Sequence, residues 1–274
     1  MALFAKFRKI NNNKSEETFH DEWAKSTQLN LVNIIEQFNG VTSPEYKKAV
    51  EFLGKITNKK ILILGCGLGE EAIYLGLKKG KITAIDISSE MLKFTEKLAR
   101  KYNVNNIKFY KMSAEKMNFK DNSFDLILGC NILHHVNIQK TIKEVRRVLR
   151  PSGIASFSEP LKYNSIINIY RFLASNVSTD HEHPLGYEDI ENIKRVFPKT
   201  QHMEYHLFTL LIFVWFFVGE RIHPNRIRYW KKIIYEADKY GYIYKFFFNI
   251  DKAVLRLFPG LRKYCWVTVI KVIK

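Results

Sequence analysis

Residues 59–76 read KKILILGCGLGEEAIYLG. Four apolar residues, Ile61 to Leu64, run into glycines at positions 65, 67 and 69, and the pattern that follows suits a helix. A strand made only of β-branched and leucyl residues is usually buried on both faces, the condition of a parallel sheet with helices above and below. A glycine turn between that strand and that helix lets backbone approach a ligand that side chains would exclude, although buried turns use glycine as well.

The same rhythm continues outward from this stretch. Downstream the pattern predicts a helix over 70–79, a strand over 81–85, a helix over 89–102 capped by Ser88, and a strand over 107–111. A strand over 124–129 follows, then a helix from Asn137 to Arg150, a turn at Pro151-Ser152-Gly153 and a strand over 154–157. Upstream, residues 16–38 read as one helix, and Pro44 opens a second that runs to Leu53. Such alternation predicts an α/β fold, a Rossmann-like doubly wound sheet that binds ligands at the carboxyl ends of its strands. After Glu159 the rhythm changes: 202–209 reads as a strand, 207–218 is an unbroken apolar run, and 266–274 is rich in β-branched residues that suit a final strand. Twelve apolar residues are too few to cross a bilayer as a helix, so the run belongs inside protein or in an interface.

Asp86 closes the second strand, 17 residues after Gly69, where a carboxylate accepts hydrogen bonds from both hydroxyls of a ribose; a plain helix cap beside Ser88 is the simpler use of it. In GCGLG the third glycine comes one position earlier than in the G-x-G-x-x-G of dinucleotide enzymes. With AIDISSEML, KMSAEKMNF, DNSFDLILGCNILHHV and EVRRVLRPSG followed by FSEP, all in order, residues 59–160 resemble the class I S-adenosylmethionine-dependent methyltransferases. The likeness is to the small-molecule branch that includes the ubiquinone and menaquinone methyltransferases.

The resemblance implies a seven-stranded mixed sheet with the last strand antiparallel, N-terminal helices and a hydrophobic, basic C-terminal insertion. It implies S-adenosyl-L-methionine as cofactor, with Gly65, Cys66, Gly67 and Gly69 under its methionine end and Asp86 on its ribose. Ile87 and Met91 would pack on the adenine face, Ser113, Ala114 and Glu115 would border the adenine edge, and Cys130 and Asn131 would flank the sulfonium. Phe19, His20 and Trp23 resemble the family's N-terminal lid, so residues 1–58 are expected to form a helical lid on a methyltransferase domain at 59–274, with a cap or interfacial insertion at about 211–264. Two positions depart from the family: Ile63 stands where an acid usually precedes the first glycine by two, and Ser113 stands where Asp is usual. Contacts to the cofactor's amino groups would then be rerouted to Glu70, Glu71 or Glu115.

Methyl transfer rests on alignment and exclusion of water, with a base helpful when the acceptor keeps its proton near neutral pH. His134 and His135, just past the fourth strand, are the candidate bases, the second being the motif's more constant member. Glu159, His181 and His183 are further candidates at the strand ends and in the loop beyond, for contact with substrate. The DHEH run has near metal-ligand spacing but no partner set elsewhere, and Cys66, Cys130 and Cys265 lie too far apart for a zinc site or a disulfide framework, so no metal is expected and a reducing, cytoplasmic compartment is.

The charge of +17 points to anionic partners. From Glu220 onward there are 13 Lys and Arg against 4 Asp and Glu, mixed with many aromatics, as an element at an anionic membrane surface requires; a buried cap or a homo-oligomer interface is the plainer use. The N-terminal stretch 1–17 is basic and too polar for a secretory signal, and reads as a frayed or surface-attached arm. The expected acceptor is therefore a small, apolar or lipid-linked metabolite. Nucleic acid is the rival that the charge supports, but CNILHH stands where base-modifying enzymes carry an Asp/Asn-Pro-Pro-aromatic motif. A non-catalytic membrane-associated protein that keeps the fold is the third possibility, left open by Ile63 and Ser113.

Overall fold

The computed structural model describes residues 16–29, 32–174 and 182–274. Residues 1–15 of the N-terminal stretch and His181 lie outside the described residues, while Glu16 and Glu17 of that stretch open a helix. Three helices come first: α1 (Glu16–Ser26), α2 (Ile34–Asn39) and α3 (Pro44–Leu53). They lead to β1 (Lys60–Leu64), α4 (Glu70–Leu77), β2 (Lys81–Asp86), α5 (Ser89–Lys101), β3 (Ile107–Lys111) and β4 (Phe124–Cys130). Next are a 3₁₀ turn (Leu133–His135), α6 (Ile138–Val148), β5 (Leu149–Pro160), α7 (Ser165–Leu173), α8 (Tyr187–Val196) and β6 (Lys199–Tyr205). The chain then forms α9 (Leu211–Val218), α10 (Tyr229–Tyr235), α11 (Ala237–Leu257), a second 3₁₀ turn (Pro259–Tyr264) and β7 (Val267–Ile273).

The seven strands make one sheet in the order β3-β2-β1-β4-β5-β7-β6. Neighbours are parallel from β3 through β5, and β7 runs antiparallel to both β5 and β6. The apolar strand β1 serves two cores at once, as period-two geometry requires. Ile61 and Ile63 pack with residues of α1 to α5 on one face, while Leu62 and Leu64 pack with α6 and α8 on the other. A third core lies outside the sheet, where Ile167 and Tyr170 of α7 meet Phe213 and Phe216 of α9, Tyr229 and Ile233 of α10, and Tyr240 and Tyr244 of α11. So α7 shares its core with the C-terminal helices.

Three expected boundaries differ. The helix expected over 16–38 is two: the hydroxyls of Ser26 and Thr27 turn back to the Trp23 carbonyl at the end of α1, and Asn33 caps α2 by accepting from the Glu36 N–H. The expected strand at 202–209 is β6 at 199–205; the chain leaves the sheet at His206, whose φ of 70° no strand admits. The turn at 151–153 lies inside β5: Leu149 pairs with Phe124, pairing resumes at Ile154 with Leu126, and the register shift between them absorbs the turn.

Candidate active site

β1 ends at the glycine turn, and Gly65, Gly67 and Gly69 have φ of 60°, 48° and 90°. Side chains there would be strained, and at two positions they would also collide: a Cβ on Gly65 would stand 2.6 Å from Ile132 Cδ1, and one on Gly69 2.4 Å from Thr95 Cγ2. At Gly67 a Cβ would meet nothing, because that position faces a cavity. Two glycines therefore serve packing and the middle one keeps the approach to a ligand open.

Asp86, at the tip of β2, is turned toward this loop. Its Oδ2 accepts the Gly67 N–H at 2.9 Å and its Oδ1 accepts the Ser88 N–H at 2.8 Å. Burial raises its pKa, opposed by those two amides. Each oxygen keeps a lone pair for a ligand hydroxyl. Ser88 caps α5 through the Met91 N–H and donates its own hydroxyl to Asp21 of α1 at 2.5 Å, so the N-terminal helix is tied to the same turn.

The cavity has a volume of about 250 Å³. Of the residues singled out from sequence, Gly65, Cys66, Gly67, Asp86, Ile87, Ser113, Ala114, Cys130 and Asn131 line it, with His134 and His135, and with Phe19, His20 and Trp23 from α1. The others lie behind it. Gly69 packs on Thr95, and Met91 is fully buried in the first core. Glu115 accepts the Asn137 N–H at the start of α6 and stands 3.7 Å from Lys140. His183 is exposed, and its backbone N–H bonds to the His134 carbonyl.

Glu159 does not face the cavity as a substrate contact would. It is fully buried, where Oε1 accepts the N–H groups of Ile132 and Leu133 at 2.9 Å each and Oε2 lies 2.8 Å from His134 Nδ1. Burial pushes its carboxyl up to about 7, against the pull of the two amides. Burial and the neighbouring His135 hold His134 well below the usual imidazole range. A neutral His134 with its Nδ1–H on Glu159 leaves Nε2 as a proton acceptor on the cavity side.

His135 has a different neighbour. Its Nδ1 is 3.2 Å from Glu16 Oε2, and that oxygen is 3.4 Å from His20 Nε2. Burial works against the charged imidazole, but the Glu16 carboxylate outweighs it and the pKa of His135 rises. The three donor atoms lie within 4.8 Å of one another, a spacing open to a metal ion, though one carboxylate between two imidazoles needs none.

Acidic groups gather under the glycine turn. Glu70 Oε1 receives Lys231 Nζ of α10 at 2.6 Å, and Gln37 Oε1 takes the same ammonium at 3.0 Å. Burial opposes the Lys231 charge, yet Glu70 holds its pKa above the usual value. Glu71 is pushed up to about 8, first by burial and then by the charge of Glu70. Burial, with Glu71 nearby, likewise raises the Cys130 thiol far above its usual range, so it is no nucleophile. Asn131 holds a left-handed φ of 56° and donates to the Tyr46 hydroxyl at 3.1 Å.

Residues 62–157 match the family model described as "Methyltransferase domain". Over these residues the chain is similar to methyltransferase domains. It is 33% identical over 141 residues to the protein MJ0638 of Methanocaldococcus jannaschii, a match covering 51% of this chain and 58% of that one. It is 36% identical over 141 residues to the ubiquinone/menaquinone biosynthesis C-methyltransferase UbiE of Rickettsia bellii, covering 46% and 56%. The chain thus spans little more than half the length of these relatives. Among solved structures, a geranyl diphosphate methyltransferase has the same fold, with a TM-score of 0.57, 10% identity and coverage of 84% and 77%. The YcgJ protein of Bacillus subtilis has a TM-score of 0.53, 17% identity and coverage of 84% and 98%.

The cavity fits S-adenosylmethionine on its own geometry, through the open side of Gly67, the paired lone pairs of Asp86 and the acids Glu70 and Glu71 for a cationic ligand. Sequence reasoning missed Tyr46, Tyr170, Arg171, Arg228, Trp230, Lys231 and Trp266, which also line the cavity. For Arg228, Trp230, Lys231 and Trp266 the one signal was the basic, aromatic character of the chain from Glu220 onward; Tyr46, Tyr170 and Arg171 had none.

Proposed function

We propose that this protein transfers a methyl group from S-adenosylmethionine to an oxygen, nitrogen or carbon of a small, largely apolar acceptor. The observation that carries the reading is a single cavity in which Gly67 and Asp86 share walls with Phe19, Trp23, Tyr170, Trp230 and Trp266. When bound, the cofactor supplies a methyl group on a positively charged sulfur. Asp86 holds the ribose, Glu70 and Glu71 face the amino end, and Ile87 supports the adenine. The aromatic walls exclude water and align the acceptor. His134 Nε2 takes the acceptor's proton, with Glu159 fixing the imidazole's tautomer and aim. A cavity roofed by α1 and the C-terminal helices favours a small molecule over a polynucleotide, and UbiE, a relative named for quinone biosynthesis, leans the same way.

The test is calorimetric titration with S-adenosylmethionine, followed by methyl-uptake assays on quinone, lipid and RNA acceptors. One site per chain is expected, weakened on the order of 30-fold or more in Asp86→Ala, which loses two hydrogen bonds to a charged group. Absence of binding by the wild-type protein overturns the reading, and binding without turnover on any acceptor favours the non-catalytic alternative.

A specific observation also supports an acceptor drawn from a membrane. Leu211, Val214, Trp215 and Val218 form one stripe of α9, and all four are exposed. Such a stripe, followed in the chain by the exposed Arg221 and Arg226, suits peripheral attachment to an anionic bilayer. No helix among the described residues is long and apolar enough to cross a membrane.

A further inference from the structure

Resting on the methyl-transfer reading, we infer that the acceptor carries an anionic group, a carboxylate or a phosphate, which Arg171 of α7 and Arg228 at the start of α10 receive in the cavity. Both arginines line the cavity. The Arg228 guanidinium lies 3.6 Å from the centre of the Trp23 ring and 5.6 Å from that of Trp230. Stacking of this kind occupies the faces of the guanidinium and leaves its in-plane N–H groups for a ligand. Arg171 spends its Nη1 and Nη2 donors on the carbonyl of Leu161 and on Asn168 Oδ1, which fix the side chain without neutralising it.

Neither arginine has a carboxylate within ion-pair distance among the described residues. Glu182, also on the cavity wall, is the acid whose field reaches both, and the field of Glu70 reaches Arg228 as well. Burial pulls both guanidinium groups down to about 10, the mark of charges held away from water without full compensation. A charge in that position is costly unless an oxyanion arrives to pair with it, and a planar fork suits carboxylate and phosphate.

The remaining charges of the cavity are disposed in the opposite sense. Glu70 is occupied by Lys231, and Glu45 is 2.9 Å from His206. Asp86, Glu70 and Glu71 lie by the glycine turn, where the cofactor brings a sulfonium and an ammonium group. These three acids face the cationic reactant, and two arginines against Glu182 are left for the other one. An acceptor with an apolar body between the tryptophans and an anionic end on the arginines matches this division.

The test uses the full chain and four probes: octanol, octanoate, octyl phosphate and inorganic phosphate, each titrated calorimetrically. One or both of the anionic amphiphiles are expected to bind at least tenfold tighter than octanol. Octanoate alone identifies a carboxylate, octyl phosphate alone a phosphate. Arg171→Gln and Arg228→Gln should each remove most of that preference while octanol binding holds, and Arg228→Lys should keep part of it, which separates lost charge from lost packing. Equal binding of octanol and both anions overturns the inference, as does a preference that survives in both glutamine variants. Inorganic phosphate binding as tightly as octyl phosphate would also overturn it, because the site would then ignore the apolar body. S-adenosylmethionine is titrated in parallel; its failure to bind would overturn the methyl-transfer reading and leave the anion result standing.

Discussion

Glu71 stands where the cofactor's amino end is expected, and its carboxyl is held at about 8 by burial and by Glu70. A folded-state pKa raised from 4.5 means that the folded protein favours the neutral acid; the associated stability is full below pH 4.5 and is lost as pH rises through 8. A cationic ligand reverses that preference. Binding of S-adenosylmethionine at pH 7 should therefore release a proton, read as a dependence of the calorimetric enthalpy on the ionisation enthalpy of the buffer. Glu71→Gln should abolish the dependence and weaken binding about tenfold. The residue-level signal in the sequence was uneven for a physical reason. The glycines and Asp86 are legible because a strand, a turn and a helix fix them locally. Ile63 flagged a missing acid, and its side chain faces the core of α1 to α5, but only the fold brings Glu71 into the cavity beside Cys130. Lys231 and Arg228 come from more than 150 positions away, and no local pattern announces them.

At the scale of one element, α9 is the case where sequence reveals composition and hides direction. LIFVWFFV is apolar all round, so it has no period from which a buried side could be read. In the structure Ile212, Phe213 and Phe216 enter the third core, while Trp215 and Val218 remain 57% and 68% exposed. If the exposed stripe enters a bilayer surface, phosphatidylglycerol vesicles should blue-shift tryptophan fluorescence and sediment the protein. Replacing Trp215 and Val218 together by serine should lower the partition coefficient at least about tenfold, from the loss of two large buried apolar surfaces. Unchanged partitioning in that double variant would assign the stripe to protein contact. The opposite case is Phe216, fully buried against Tyr229 and Tyr240 at ring distances of 5.2 and 4.9 Å. Phe216→Ala should destabilise the protein by about 3–5 kcal/mol, measured by denaturant unfolding.

Across the whole molecule the surplus of positive charge sets a further expectation. With +17 formal charges, attachment to anionic vesicles should weaken steeply between 0.05 and 0.5 M salt, while the smaller attachment to neutral phosphatidylcholine vesicles should be nearly indifferent to it. The order of elements from β1 to β5 was legible because each strand and helix announces itself by its own period. The C-terminal half was less so, because β6 is fixed by pairing with β7 and its polar start, Lys199 to Gln201, lies outside the strand expected at 202–209. That pairing has a consequence for how the protein is made. β7 lies between β5 and β6, so the strand made after the other six is the one the sheet closes around. Until it emerges, β5 presents a bare edge and β6 has no neighbour in the sheet, both of them surfaces on which nascent chains associate wrongly. Synthesis must run through β7 before the sheet can close, and a chain cut short ahead of Val267 would be left with an unfinished sheet.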